Sequence, residues 1–207
     1  MSQLEYLTVL VSIIVGLGVT DLAKSVRDLL HPDQPVRWHW LPLTWALVAI
    51  LMVVGAWWGL YRFLQADVWT QPVAFLLILF TSLCLYLLCA FALPELDGPP
   101  ETDDPSLVDL EVFYFSPAHR RSFFGISILY WFSMSVTLFI WKVSTGMGDA
   151  TLLGGVGYTF INGLILGIPF GVMVLTARKW VHVLLTIVGS LLVVWILFEF
   201  APLMTAG

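Results

Sequence analysis

The sequence predicts an all-α fold, a polytopic membrane protein built as a bundle of six transmembrane helices. Three observations carry that prediction. Only 11% of the 207 residues are charged and 59% are hydrophobic, whereas a soluble domain carries about 25% charged residues. Six apolar runs approach or reach the ~20 residues a helix needs to cross hydrocarbon. Basic residues gather in alternate connections between those runs, as the positive-inside rule requires of a multi-pass chain.

Span one covers residues 4–20 and continues as an amphipathic turn, DLAKSVRDLL. Its start, MSQLEYL, has neither a basic leader nor a small-residue cleavage site, so the run is expected to be retained in the membrane. Span two covers 41–61 and span three 72–93, the latter stopped by Pro94. Spans four, five and six cover 122–141, 152–176 and 180–203. Lipid offers no partner for backbone N–H and C=O groups, so each run must be helical. None alternates polar and apolar residues at period two, which excludes a membrane β-barrel. The whole chain, 1–207, reads as a single transmembrane domain.

Lys24, Arg27, Arg37, Arg120, Arg121, Arg178 and Lys179 fall in the three connections on one side, and only Arg62 and Lys142 on the other. The seven are placed in the cytoplasm, and both termini outside. Most tryptophans, among them Trp38, Trp57, Trp58, Trp141 and Trp180, lie near span ends, where indole rings anchor in the headgroup zone. Residues 95–121 form the one substantial polar segment, an acidic cytoplasmic loop. Within it Asp104 and Pro105 read as a helix cap and first position, followed by a short interfacial helix over SLVDLEVFYF.

Packing signals are concentrated in glycine. Gly163, Gly167 and Gly171 recur every four residues on one face of span five, Gly55 and Gly59 do so in span two, and Gly16 lies between Ser12 and Thr20 in span one. Such faces let helix backbones approach closely, within the chain or in a homo-oligomer or a complex with another membrane protein. Pro169 is expected to kink span five, which makes that span the candidate for a moving or irregular element, and its glycine face marks it as the expected centre of the bundle. Three spans per half also permit an inverted repeat in which spans two and five correspond.

Polar groups inside the spans are few. His182, Thr186 and Ser190 are spaced four apart in span six and form a stripe entering from the basic side. With Asn162 of span five they are the candidates for a polar path; the competing reading is hydrogen bonding between helices or to the local backbone. His119, Arg120 and Arg121 precede span four and are candidate ligands for a phospholipid headgroup, since arginine binds phosphate through a fork of donors. Cys84 and Cys89 are about 140° apart on a helix, so they share no face and are not expected to pair.

Several functions are disfavoured. A net charge of −5 and the lack of a basic patch argue against nucleic acid. No nucleotide-binding loop, zinc-ligand spacing or nucleophile elbow occurs, so no catalytic, metal or cofactor residue is assigned. Three stretches, LEYLTVLVSIIVGLGVTDL, LTWALVAILMVVGAWWGLYRF and EVFYFSPAHRRSFFGI, resemble a group of small bacterial multi-pass membrane proteins without an assigned activity. The resemblance covers the first two thirds of the chain and implies a bacterial inner-membrane location. The expected function is that of a non-enzymatic accessory or assembly subunit, or a homo-oligomer, acting through helix packing in contact with membrane phospholipid. A small channel or transporter is the alternative, and a headgroup-modifying enzyme the third reading.

Overall fold

A computed structural model describes residues 3–31, 35–63, 66–95, 107–146 and 152–205. The chain is dominated by helices: α1 (Gln3–Leu30), α2 (Trp40–Phe63), α3 (Pro72–Phe91), α4 (Leu110–Phe115), the single turn α5 (Pro117–His119), α6 (Gly125–Ser144), α7 (Leu152–Leu175) and α8 (Lys179–Thr205). A 3₁₀ turn, Asp67–Thr70, precedes α3, and a π-helical turn, Arg120–Phe124, joins α5 to α6. Two short strands, β1 (Val36–Arg37) and β2 (Val108–Asp109), pair in parallel, with Val36 opposite Val108 and Arg37 opposite Asp109.

Among the described residues, four stretches are long and apolar enough to cross a membrane: Glu5–Leu30, Trp40–Gly59, Pro72–Phe91 and Pro117–Ser144. The described apolar parts of the last two helices are shorter, Gly163–Leu175 and Lys179–Trp195. Large apolar side chains cover the outside. Ile13, Leu47, Leu76, Leu129, Ile165 and Leu191 are all exposed, a surface that water would not tolerate and lipid does. The chain is therefore an all-α membrane protein.

The amphipathic continuation of span one is not a separate element. Leu7, Val11, Val15, Gly18, Leu22, Ser25 and Leu29 are all buried, and their steps of three or four residues keep them on one helical face. That stripe runs unbroken through the expected boundary at Thr20, so α1 is one helix of 28 residues. At 1.5 Å per residue it is about 42 Å long. It packs chiefly on α3, and closely so at Gly18, where an added Cβ would lie 3.1 Å from the Tyr86 Cα.

Helix α3, rather than the glycine-rich α7, is the centre. It packs against α1, α2 and α6, while α7 lies on α6 and the π turn, and α8 on α2. The physical reason is in the residues. Helix α3 buries Ala74, Ile78, Ser82, Cys84, Leu85, Leu88 and Cys89, small and apolar groups spread around more than one face. Helix α7 keeps Ile161, Leu164, Ile165, Ile168, Val172 and Leu175 exposed. The expected inverted repeat is not mirrored in the packing either: α1 packs on α3, but its counterpart α6 packs chiefly on α7. Cys84 and Cys89 are both free and buried.

The short helix in the acidic loop starts later than expected, at Leu110. Asp104 and Pro105 lie outside the described residues. The cap observed is Asp109, whose Oδ1 accepts from the backbone N–H of Glu111 at 2.8 Å and of Val112 at 3.2 Å. Leu110 and Tyr114 are fully buried and Val112 is exposed, so one face of α4 packs into the bundle.

Candidate functional site

The connections that carry most of the basic residues meet at one end of the bundle, and helix α4 ties them together. Arg37, between α1 and α2, donates to Asp109 Oδ2 at 3.1 Å. Lys179, at the start of α8, pairs with Glu111. The β1–β2 pairing adds a backbone link between the same segments. Burial pushes the Asp109 carboxyl up, but the N–H groups of Val112 and Glu111, together with the Arg37 guanidinium, outweigh it and hold the group below its ordinary value. For Glu111 the hydrogen bond from Lys179 is the largest influence, and it too sits below its ordinary value despite some desolvation.

Beneath these ion pairs lies a buried polar chain. Trp45 Nε1 donates to Thr186 Oγ1 at 3.0 Å. Tyr114, whose phenol feels both Thr186 and Trp45 as neighbours, places its Oη 3.1 Å from His182 Nδ1. His182 Nε2 lies 2.8 Å from the Thr176 carbonyl oxygen. A carbonyl only accepts, so Nε2 carries the proton and Nδ1 accepts from the tyrosine O–H. From Tyr114 through His182 the donation then runs in one direction and ends on a carbonyl that the C-terminus of α7 would otherwise leave unpaired. Burial pushes the Tyr114 phenol up, against a smaller opposing pull from Thr186 and Trp45, which keeps it a neutral donor.

Aromatic rings enclose the chain. Trp45 meets Phe123, Phe124 and Phe170, each with ring centroids 5.7 Å away. The π turn makes this enclosure. Its i→i+5 geometry widens the helix so that residues 119, 123 and 124 share a face. His119 stacks on Phe123 at 5.4 Å and 12°, and all three are buried. Trp45, Phe123 and Phe170 also line a cavity of about 10 Å³, with Ala49, Leu88 and Ser127, room for about one water.

The sequence-derived candidates fall into different places. His182 and Thr186 are fully buried inside the polar chain, and Ser190, one turn further along α8, has a buried Oγ with no hydrogen-bond partner. The Asn162 side chain lies outside the described residues. His119 does not belong with a headgroup cluster, because it is 5% exposed and wrapped in rings from Phe113, Tyr114 and Phe123. Arg120 turns to α7, with Nη1 3.4 Å from the Val174 carbonyl and a buried, unpartnered Nε. Of the three, Arg121 alone is exposed. The acids that would make a catalytic pair with this cluster, Asp109 and Glu111, are committed to Arg37 and Lys179 instead.

The glycines also separate. Gly163 and Gly167 face the side chains of Phe132 and Ile128 on α6, at 3.7 and 3.9 Å. A Cβ added at Gly55 would meet Leu197 of α8, whereas at Gly16, Gly59 and Gly171 it would meet nothing within 4 Å among the described residues. Sequence reasoning missed Tyr114, Trp45 and Gly18. Trp45 carried a usable signal: it sits inside span two, away from the headgroup zone, so its N–H had to find a polar partner.

No family model, no curated protein and no solved structure matches this chain.

Proposed function

We propose that this is a six-span protein of a bacterial inner membrane, with both termini outside, that acts without catalysis as an accessory subunit or homo-oligomer. The observation that carries this reading is how its polar groups are used. Arg37, Asp109, Glu111, Tyr114, Thr186, Lys179 and His182 are engaged with one another or with backbone. Meanwhile Gly16, Gly59 and Gly171 present small surfaces that the chain's own helices leave open. A second copy or another membrane protein, with phospholipid around it, is the partner such surfaces suit. Purification in mild detergent with mass measurement tests this. The expected particle contains at least two chains of 23.2 kDa or a co-purifying protein, and a bare monomer would remove the basis of the proposal.

A small transporter is the second reading, favoured by the unpartnered Ser190 hydroxyl at the inner end of the His182–Thr186 row. Flux of ions, protons or small solutes across reconstituted liposomes decides for it; no flux decides against it.

A further inference from the structure

The polar row on α8 is stopped at its basic end by one residue from outside the helix, Tyr114. That residue belongs to a short segment, β2 with α4, attached to its surroundings by a two-residue strand pairing and two ion pairs. Both cations in those pairs are largely in solvent, with Arg37 67% and Lys179 73% exposed. Their acidic partners are less exposed, Asp109 at 6% and Glu111 at 23%, so each pair has one solvated end, through which salt weakens it. The segment is therefore held outside by the strand pairing and the ion pairs, and inside by Leu110 and Tyr114, both fully buried, with the Phe115 ring 5.1 Å from that of His182.

Behind the tyrosine the structure is not uniformly sealed. Next to Thr186 comes Trp45, which lines the small cavity between α2, α3, α6 and the π turn. Along α8 the row continues to Ser190, whose Oγ has no partner. A buried hydroxyl without a partner gains if water reaches it. The side chains that would accept water are thus lined up beneath the tyrosine.

We propose that residues 108–115 are a releasable strap, with Tyr114 as the plug that keeps water from the His182–Thr186–Ser190 row. Releasing the Asp109 and Glu111 ion pairs lifts α4, withdraws Tyr114 from His182 and opens the row from the basic side. The proposal rests on the six-span reading, which places that side in the cytoplasm, but makes a claim about access that topology alone does not.

The test uses thiol accessibility in the full-length protein. Ser190→Cys is introduced with Cys84→Ala and Cys89→Ala, and inside-out vesicles are treated with the water-soluble reagent methanethiosulfonate ethylammonium. Position 190 lies about 16 Å along α8 from Lys179, where a thiol reacts only if water arrives. Slow labelling is expected with the strap intact. Asp109→Asn with Glu111→Gln, or raising salt from ~0.05 to ~1 M, should accelerate it about three- to ten-fold. A disulfide between Val36→Cys and Val108→Cys, which face each other in the strand pair, should abolish the acceleration by salt. Exchanging the charges, Glu111→Lys with Lys179→Glu, should return the rate toward its slow value and shows that the fold survives.

Labelling that ignores both charge removal and salt overturns the proposal, as does equally fast labelling with the strap locked. The six-span reading is checked separately with Thr145→Cys and Arg178→Cys, which should label from opposite faces. If they label from the same face that reading fails, whatever position 190 does.

Discussion

Replacing Tyr114 by Phe removes one oxygen atom from the middle of the buried hydrogen-bond chain. The ring stays, so its edge contacts with Phe115 and Phe124, at 5.0 and 6.0 Å, should persist. What is lost is the donor to His182 Nδ1 on a residue with 0% exposure. His182 cannot recover by moving its proton, because Nε2 needs it for the Thr176 carbonyl. A buried acceptor left without a partner costs about 1–3 kcal/mol, and that is the expected loss of stability. It is measured by SDS titration from mild detergent, followed by tryptophan fluorescence. Ser12→Ala is the comparison, since Ser12 bonds only its own helix at an exposed site, and such a change should stay within about 0.5 kcal/mol. Combining Tyr114→Phe with Thr186→Val should give a coupling of about 0.5–3 kcal/mol, as for neighbours in one network. If Tyr114→Phe unfolds like Ser12→Ala, or the double variant is simply additive, the chain is not the lock described above.

Three further outcomes follow from the same geometry. Gly18→Val should destabilise by about 1–3 kcal/mol, because the new Cβ meets the Tyr86 backbone at 3.1 Å; thermal unfolding in detergent reads it. Gly16→Ala, with nothing within 4 Å, should be neutral or stabilising by about 0.5–1 kcal/mol, so lost assembly in that variant, read by mass measurement, locates the partner surface. Asp109 and Glu111 have carboxyls held below their ordinary values of 3.8 and 4.5. Their stabilisation is therefore complete above those values and disappears as pH falls through the lowered ones. A pH titration of the unfolding midpoint should show that decline, and Asp109→Asn should flatten it.

Helix positions were the legible part of the sequence. Span five was expected over 152–176 and is helical over Leu152–Leu175, because a long apolar run has only one way to satisfy its backbone in lipid. The exceptions came from patterns that hydropathy does not weigh. The buried stripe of α1 includes Gly18 and Ser25 and continues through a charged stretch, so hydropathy ended the span where the packing face did not end. The π turn needed Phe123 and Phe124 both inward beneath His119, a spacing a regular helix would split. The site was half visible. The His182–Thr186–Ser190 row could be read from spacing alone, but its partners, Tyr114 and Trp45, come from 68 and 141 residues away. Long-range pairing of that kind leaves no local trace. His119 misled because its neighbours in sequence are arginines, while its neighbours in space are phenylalanines.

The main buried face of α1 is turned to α3 and only slightly to α2, and this has a consequence for how the protein is made. A nascent helix usually finds its partner in the next segment to be synthesised. Here α1 must wait while α2, the turn after it and most of α3 emerge, which at 5–20 residues per second takes on the order of several seconds. Throughout that interval Gly18 and Ser25 face lipid, translocon or chaperone in place of Tyr86 and its neighbours. The seam between α1 and α3 is thus a late event in biogenesis, and the step at which an insertion factor would have something to hold.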